Sequence, residues 1–154
     1  MPTCWRVVKR QHAATAFDGK AAQRFGGRWN PVGAAAVYTS ASKSLALLEV
    51  LVHLDVGAAL PPMVAFRFEL ADADIERLAA SRLPRGWRSA RGMLATQQIG
   101  GEWLQAQRTL ALAVPSSIVP EEENFVLNPA HPGFAALKLG RATPFVLDSR
   151  LRRL

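Results

Sequence analysis

Residues that form disulfides and metal sites are scarce in this sequence. Its 154 residues include one cysteine, Cys4, and three histidines. A single cysteine excludes an internal disulfide and a cysteine-based zinc site, and the histidines have no recognisable metal-ligand spacing. We therefore expect a protein without a bound metal, located in a reducing compartment such as the cytoplasm.

Long apolar runs and several nucleotide-binding motifs are also missing. No stretch approaches the roughly 20 apolar residues that a membrane-spanning helix needs, and the opening residues MPTCWRVVKRQ lack the apolar core of a signal peptide. Gly26 and Gly27 form neither a Walker loop nor a Gly-x-Gly-x-x-Gly turn, and no serine lies in a Gly-x-Ser-x-Gly elbow. The sequence thus predicts a soluble, unprocessed protein without kinase, Rossmann or serine-hydrolase chemistry.

Acidic residues are outnumbered by basic ones. Lysine and arginine together number 19 and aspartate and glutamate 12, which makes the formal net charge +7, and 15 of the basic residues are arginines. The first 54 residues contain only two acids, Asp18 and Glu49. Since the planar arginine fork suits phosphate groups, this composition favours phosphate-bearing ligands, nucleic acid included.

The rest of the composition is that of an ordinary globular domain. Hydrophobic residues make up 49% and charged residues 20%, and the length suits one domain over residues 1–154. Segments with strand and helix periodicity follow one another without regular β-α-β alternation, which predicts the α+β class. The first predicted helix is capped by Ser42. The predicted strands are 4–8, 35–40 and 64–70, the predicted helices are 44–54, 72–83 and 90–107, and further short apolar segments are 110–115, 124–128 and 144–148.

Glu49 stands out most in this pattern. It lies in LALLEVLVHL, a predicted helix that is apolar nearly all round and is therefore expected to be buried. A buried carboxylate without a partner is costly, so Glu49 is either protonated, paired with an arginine, or facing a cleft. A structural ion pair and a water-facing helix edge remain alternatives to a catalytic role.

Further positions are unusual for their surroundings, each with a structural alternative. Arg28 in GGRWNPVG lies in a loop that a ligand can approach closely, or in a simple turn. Arg6 in an apolar strand must reach the surface or bind an anion, and Tyr38, the only tyrosine, packs in the core or forms a platform in a pocket. Ser116, with Ser117 as the alternative, follows an apolar run where a hydroxyl reaches a cleft or belongs to a turn.

A different class of function is suggested by arginines in the middle of the chain. Five of them follow one another with no acid between them: Arg77, Arg82, Arg85, Arg88 and Arg91. Such a run is either a solvated face or a nucleic-acid-binding surface. Glu49 discriminates between the two classes, because a nucleic-acid-binding module gains nothing from a carboxylate in an apolar helix.

In combination, six blocks of this sequence resemble the RES domain family. They are WR at 5–6, GGRWNPVG at 26–33, VYTS at 37–40, LALLEVLVH at 45–53, VPS at 114–116 and NFVLNP at 124–129. The blocks occur in order over essentially the whole chain, although residues 71–100 match none of them. The resemblance implies a single compact α+β domain with a mixed central sheet, similar to the fold of ADP-ribosyltransferase toxins.

The resemblance also implies a function. The family members are the toxin halves of bacterial type II toxin–antitoxin pairs, and they consume NAD⁺ as a substrate by hydrolysis or phosphorolysis of the nicotinamide–ribose bond. Transfer of ADP-ribose to a protein is the alternative activity. The implied partner is an Xre-like helix-turn-helix antitoxin that occludes the active site and binds DNA for the complex. No metal, further cofactor or membrane is implied.

Roles for the unusual residues follow from the same resemblance. Arg6 and Arg28 would hold the pyrophosphate or neighbouring ribose oxygens, and Tyr38 would form a stacking wall for the nicotinamide ring. Glu49 would bind a hydroxyl of the nicotinamide ribose and place negative charge beside the oxocarbenium ion formed as the C–N bond breaks. Ser116, or Ser117 next to it, would make one orienting hydrogen bond.

Overall fold

A seven-stranded sheet organises the computed structural model, which describes residues 1–153, with side chains described for residues 1–151. The strands are β1 (Thr3–Lys9), β2 (Val37–Ser40), β3 (Met63–Glu69), β4 (Ile75–Arg77), β5 (Ala111–Pro115), β6 (Glu123–Leu127) and β7 (Thr143–Phe145). The α-helices are α1 (Lys20–Phe25), α2 (Lys43–Leu51) and α3 (Met93–Ala106), and short 3₁₀ turns connect several elements.

The strand order is β4-β5-β6-β2-β1-β3-β7, so strands distant in sequence are neighbours in the sheet. Only β4 and β5 are parallel, and every other neighbouring pair is antiparallel. The prediction of an α+β domain with a mixed central sheet is therefore confirmed. The predicted strands correspond to β1, β2 and β3, and the three further apolar segments form β5, β6 and β7.

The helix predicted over residues 72–83 is wrong. A 3₁₀ turn at Asp72–Asp74 leads into β4, and a second 3₁₀ turn follows at Ala80–Arg82. Ile75 pairs with Ala111 and the following two residues continue the ladder along β5. The helical spacing of apolar residues is a local signal. Here the backbone is extended because it pairs with β5, and such tertiary contacts override local propensity.

Helix α2 begins as predicted but is less buried than expected. The Ser42 side chain accepts a hydrogen bond from the Leu45 amide at 3.1 Å, which caps the helix. Leu45 and Ala46 are buried, whereas the residues from Leu47 to Leu51 are half-buried. The expectation that an all-round apolar helix lies inside the protein is therefore wrong: one face packs on the sheet and the other reaches the surface.

The two largest apolar clusters lie around the middle of the sheet. One contains Cys4, Phe68, Phe125 and Leu127, and the other joins Trp29 and Trp103 to the side chains of β5 and β6. Helix α3, predicted over 90–107, supplies Trp103 and Leu104.

Within residues 1–153, no helix is long and apolar enough to cross a membrane. Strand β3 is buried on both faces from Met63 to Phe66, whereas its alternating sequence predicts burial of one face only.

Strands β1 and β2 diverge soon after they meet. Their register contains one Cα pair, Trp5 with Ser40, whereas β1 and β3 pair over seven residues. Helix α2 packs against β1 and β2 on one side of this split. Because β6 pairs with both β2 and β5, the start of α2, the end of β2, the end of β5 and the start of β6 lie in one region of the molecule.

Candidate active site

Glu49 on α2 is held by two side-chain donors. Its Oε1 accepts hydrogen bonds from the Ser116 hydroxyl at 3.0 Å and from the Asn124 amide Nδ2 at 2.5 Å. The Oε2 atom accepts none from the described residues, and the residue is half-buried. Glu49 is thus neither in an ion pair with a described arginine nor solvated on all sides: one oxygen is fixed and the other remains available.

Ser116 lies just after β5 and is fully buried. Besides donating to Glu49, its hydroxyl accepts hydrogen bonds from the amides of Ile118 and Val119 at 3.0 and 3.1 Å. A serine hydroxyl has one donor hydrogen and two acceptor lone pairs, so this hydroxyl is fully used inside the protein. Ser116 therefore orients Glu49. The neighbouring Ser117 contacts a different residue, since its carbonyl accepts from Arg88 Nε at 2.9 Å.

Two residues of this network were not singled out in the sequence. Asn124 is the second residue of β6 and Ser40 is the last residue of β2, and the Ser40 hydroxyl donates to Asn124 Oδ1 at 2.7 Å. The two residues are paired in the sheet and are 8% and 3% exposed. The available signal was a pair of polar residues at the edges of the apolar VYTS and NFVLNP blocks, a position where polar residues are also common for purely structural reasons.

Tyr38 on β2 lies on the same sheet face as Ser40 and is tied to the 26–33 loop. Its hydroxyl donates to Asn30 Oδ1 at 2.6 Å and accepts from the Trp29 amide at 3.0 Å. Burial raises the pKa of the Tyr38 phenol far above its ordinary value, the Trp29 hydrogen bond and the Arg28 charge oppose this shift, and the Glu49 charge adds to it. Tyr38 is thus neutral and lies within electrostatic reach of both Arg28 and Glu49.

The 26–33 loop is anchored so that Arg28 projects from it. Asn30, fully buried, donates to the carbonyls of Ala22 and Ala34 at 2.8 and 3.0 Å, and Trp29 is 3% exposed in the core. A Cβ on Gly27 would lie 2.6 Å from the Tyr38 hydroxyl, so this position has no room for a side chain. The motif is therefore more than a turn, because its buried residues fix the position of its one arginine.

Arg28 contacts a segment that no sequence block covers. Its Nη1 donates to the Trp87 carbonyl at 2.7 Å and, more weakly, to the Ser89 carbonyl at 3.4 Å. The Trp87 ring lies 6.0 Å from the Trp29 ring, while Arg88 reaches the Ser117 carbonyl. We call residues 84–92 the bridging segment, because it joins the arginine loop to the turn that follows β5.

Arg6 is separate from the Glu49 network. Since side chains alternate along a strand, Arg6 leaves β1 on the face opposite to Trp5, near the ring of Phe17. Its guanidinium donates to the Ala16 carbonyl and, across the split, to the Tyr38 carbonyl at 2.7 Å. Burial lowers the pKa of Arg6 to about 10, and the charge of Asp18 partly offsets this effect. Of the alternatives given for Arg6, the one in which its head group reaches the surface is therefore wrong, because the guanidinium is held by two backbone carbonyls.

The structure thus joins some of the predicted residues and not others. Glu49 and Ser116 are in direct contact, Tyr38 and Arg28 lie nearby on the same side, and Arg6 approaches only through the Tyr38 backbone. Among residues 1–153, no group of three or more histidine, cysteine, aspartate or glutamate side chains could hold a metal ion. The chemistry available here is that of a fixed carboxylate beside a neutral aromatic ring and an arginine.

The run of arginines between 77 and 91 does not form a uniform basic face. Arg77 forms an ion pair with Glu123, in which Nη1 donates to both carboxylate oxygens at 2.5 and 2.7 Å. Arg88 donates to the Ser117 carbonyl, whereas the side chains of Arg82, Arg85 and Arg91 donate to no described residue, and all five arginines are exposed. Part of the charge that suggested a nucleic-acid surface is therefore engaged in contacts with other residues of the chain.

The fold and the carboxylate-centred site can now be compared with known proteins. The RES domain family matches residues 3–148, nearly the whole chain, and the chain belongs to that family. It is similar to a Toxin Res of Yersinia enterocolitica, with 40% identity over 149 residues that cover 96% of this chain and 98% of that protein. The chain is thus a toxin of the RES domain family.

Two further proteins extend the comparison. A Prs ADP-ribosylating toxin of Sphingobium sp. is 38% identical over 154 residues, covering 97% of this chain and 96% of that protein. Among solved structures, the Mycobacterium tuberculosis MbcT–MbcA toxin–antitoxin complex contains a chain that superimposes with a TM-score of 0.74 at 19% identity, covering 94% of this chain and 84% of that one. At that identity the likeness concerns the fold.

Proposed function

We propose that this toxin breaks the nicotinamide–ribose bond of NAD⁺ and so depletes the cytoplasmic NAD⁺ pool of the cell. The observation that carries the proposal is the state of Glu49, whose Oε1 is held by Ser116 and Asn124 while Oε2 accepts no hydrogen bond from the described residues. A carboxylate fixed in this way can bind a ligand hydroxyl and stabilise a positive charge without first reorganising.

The reaction needs such a carboxylate. When the bond between C1′ and the pyridinium nitrogen breaks, the electron pair leaves with nicotinamide, which becomes neutral, and the ribose takes the positive charge. Glu49 Oε2 accepts a hydrogen bond from a hydroxyl of this ribose and places its negative charge near C1′. Water or inorganic phosphate then adds to C1′ and loses a proton. Because the cation exists only near the transition state, its stabilisation raises the rate rather than the affinity.

The other residues of the site would bind the substrate. Tyr38, neutral and held by its hydroxyl, offers the face of its ring to the nicotinamide. Arg28 uses Nη1 for two backbone carbonyls and keeps its remaining N–H groups for the pyrophosphate. Arg6, whose Nη2 donates to no described residue, would contact ribose or phosphate oxygens at the split between β1 and β2. Ser116 acts by orienting Glu49 rather than as a nucleophile.

A second candidate activity is transfer of ADP-ribose to a protein. It is favoured by the name of the Sphingobium relative, an ADP-ribosylating toxin. Both activities share the bond cleavage at C1′ and the role of Glu49, and they differ in the group that attacks the cation. A protein side chain would then take the place of water or phosphate.

The proposal includes an antitoxin partner. Toxin–antitoxin pairing is stated for the MbcT–MbcA complex, and an enzyme that consumes NAD⁺ would exhaust its own cell without an inhibitor. The partner would be an Xre-like helix-turn-helix protein, with an acidic surface that suits the net charge of +7. It would cover the cleft around Arg28 and Glu49, and DNA binding by the complex would belong to it. The co-expressed complex should show no NAD⁺ turnover, and a fully active complex would contradict occlusion.

Product analysis tests the proposed activity. The purified toxin is incubated with NAD⁺ in four mixtures: buffer alone, added phosphate, a protein extract, and a metal chelator. We expect release of nicotinamide in all four, with mass spectrometry identifying ADP-ribose, its 1-phosphate, or modified proteins as the second product. Absence of nicotinamide release, or release that requires a divalent metal ion, would contradict the proposal.

A further inference from the structure

We propose that Asn124, itself oriented by Ser40, is a positioning residue that sets the direction of the Glu49 carboxylate. The inference rests on the proposed function for its consequence in turnover, but its geometry can be tested in the protein without substrate. It extends the site from residues expected to meet the substrate to a pair in the sheet behind them.

The hydrogen-bond chain has a defined direction. Ser40 Oγ donates to Asn124 Oδ1 at 2.7 Å, and Asn124 Nδ2 donates to Glu49 Oε1 at 2.5 Å. An ionised carboxylate can only accept hydrogen bonds, so the amide must present its NH₂ group to Glu49. The amide oxygen then faces Ser40, whose hydroxyl must donate. Each end of the amide is thus matched to one partner, and a flipped amide would place two acceptors against each other.

The support for this chain is rigid. Ser40 and Asn124 are opposite each other in the antiparallel pair of β2 and β6, near the middle of the seven-stranded sheet. Both residues are almost completely buried. Hydrogen bonds in such surroundings are stronger than in water, and an unpaired group there is costly. The amide is therefore fixed by the sheet and not by the helix that carries the carboxylate.

Glu49 needs this support because its own element leaves it loosely held. Helix α2 has nine residues, and Glu49 lies near its C-terminal end on the half-buried side. A glutamate side chain has three rotatable bonds, and Ser116 alone would leave the carboxylate free to turn about a single contact. Two donors on Oε1, one from each of two strand ends, fix the direction in which Oε2 points.

The consequence concerns kcat more than binding. Asn124 does not face the proposed ligand, since its amide is used by Glu49 and Ser40. Loss of the Asn124 amide would allow the Glu49 carboxylate to turn, while the proposed contacts of Arg28 and Tyr38 with NAD⁺ remain. Because a displacement of about 1 Å in a reacting group can cost on the order of 10²-fold in rate, we expect Asn124→Ala to lower kcat by roughly 10- to 100-fold, with KM for NAD⁺ changed by less than about 3-fold. Ser40→Ala keeps the Asn124 amide as the donor to Glu49 but removes the hydroxyl that orients this amide, so it should show a smaller loss of kcat.

Two matched controls come from the same strands. Asn128→Ala removes a buried amide that follows β6, where it donates to the Leu104 carbonyl and has no contact with Glu49. Thr39→Val removes a buried hydroxyl of β2 that donates to the Phe125 carbonyl on the other face of the sheet. Both controls should lose thermal stability, as the test variants do, while kcat stays within about 2-fold of the wild-type value. Asn124→Leu, which fills the space of the amide, serves as a second test variant if Asn124→Ala does not fold.

The test combines ligand-free crystal structures with steady-state kinetics. We expect Glu49 to leave Ser116 or to turn in the Asn124 variants but not in the controls, together with the loss confined to kcat. The inference is overturned if Glu49 keeps its position without Asn124, if it moves with kcat unaffected, or if Asn128→Ala causes the same loss of kcat. Failure of the wild-type toxin to cleave NAD⁺ would instead overturn the proposed function, and the crystal structures would still decide the positioning role.

Discussion

The carboxylate side and the arginine side of the candidate site are held by different kinds of contact. On the carboxylate side, Glu49 is fixed by side chains from the ends of β5 and β6, with Ser40 of β2 behind them. On the arginine side, Arg28 projects from a loop, and its Nη1 is held by backbone carbonyls of the bridging segment, residues 84–92.

This difference indicates which side is preorganised. The carboxylate side rests on the sheet, so its geometry is set before any ligand arrives, as electrostatic stabilisation of a transition state requires. The arginine side rests on contacts that a phosphate can replace, since carbonyl oxygens and phosphate oxygens accept from the same guanidinium. We therefore expect changes on the carboxylate side to affect kcat, and changes on the arginine side to affect NAD⁺ binding.

The largest effect should come from Glu49→Gln. The substitution keeps the volume and removes the negative charge beside the developing cation, so nicotinamide release should fall by at least about 10²-fold, equivalent to about 3 kcal/mol of transition-state stabilisation. NAD⁺ affinity, measured by calorimetry, should change much less.

Glu121→Gln is the matched control for this substitution. Glu121 is exposed and forms no ion pair with any described residue, so its turnover should remain at the wild-type level. A folded Glu49→Gln variant with nearly full turnover would make Glu49 a structural residue.

The next largest effect should be on substrate binding in Arg28→Ala. A charge-assisted hydrogen bond to the pyrophosphate persists in the ground state and the transition state, and it contributes about 1.5–3 kcal/mol. KM should therefore rise by about 10-fold or more while kcat falls by less than about 3-fold. Arg24→Ala, at an exposed position of α1, is the control. Unchanged NAD⁺ affinity in a calorimetric titration would assign Arg28 to holding the bridging segment alone.

Arg6→Ala should weaken NAD⁺ binding as well, but with a structural cost that Arg28→Ala lacks. Arg6 joins the Ala16 and Tyr38 carbonyls across the split in the sheet, and both would lose a donor. We expect a higher KM together with a lower melting temperature. A lower melting temperature with unchanged affinity would make Arg6 a purely structural residue.

A smaller effect, on stability, is expected for Gly27→Ala. The new Cβ would lie 2.6 Å from the Tyr38 hydroxyl and 2.7 Å from Asn30 Oδ1, so it disturbs the hydrogen bond between them. Overpacking of this kind costs about 1–3 kcal/mol, measurable by chemical denaturation. The control is Gly27→Ala in a Tyr38→Phe background. There the substitution should lower the free energy of unfolding by less, because the hydroxyl is absent. An equal cost in both backgrounds would show that the hydroxyl is not what excludes the side chain.

The smallest effect concerns Cys4, which is buried in the apolar cluster that contains Phe68, Phe125 and Leu127. Burial raises the pKa of its thiol to about 12, so the reactive thiolate is almost absent at mildly alkaline pH. Iodoacetamide should leave the native protein unmodified and label it fully in concentrated guanidinium. Rapid labelling without denaturant would contradict the burial of Cys4.

Much of the fold could be predicted because the strand and helix patterns are local. The strand β3 and the Ser42 cap of α2 depend on neighbours along the chain, and both were correctly predicted, although β3 is buried on both faces from Met63 to Phe66 instead of on one. The error over residues 72–83 has the opposite cause. Ile75 is a strand residue because Ala111, more than thirty residues away, offers a backbone partner, and no local pattern reports such a partner.

The candidate site divides in the same way. Glu49 was conspicuous because a carboxylate interrupts an apolar helix, whereas its contact with Ser116 could not be predicted, because the resemblance gave the two residues separate roles. Asn124 and Ser40 were missed because polar residues at strand ends are ordinary, and their importance comes from facing each other across β2 and β6. The position of the bridging segment was equally hidden, since Arg28 and Trp87 meet only in the folded chain.

The NAD⁺ content of cells expressing the toxin tests the central claim most directly. NAD⁺ is measured at intervals after induction of the wild-type toxin, of Glu49→Gln and of the Glu121→Gln control, alongside growth. The account predicts that NAD⁺ falls before growth stops in cells that express the wild type or the control. In cells that express Glu49→Gln, neither the NAD⁺ content nor growth should change. Arrest of growth by the wild-type toxin while NAD⁺ stays at the uninduced level would contradict it.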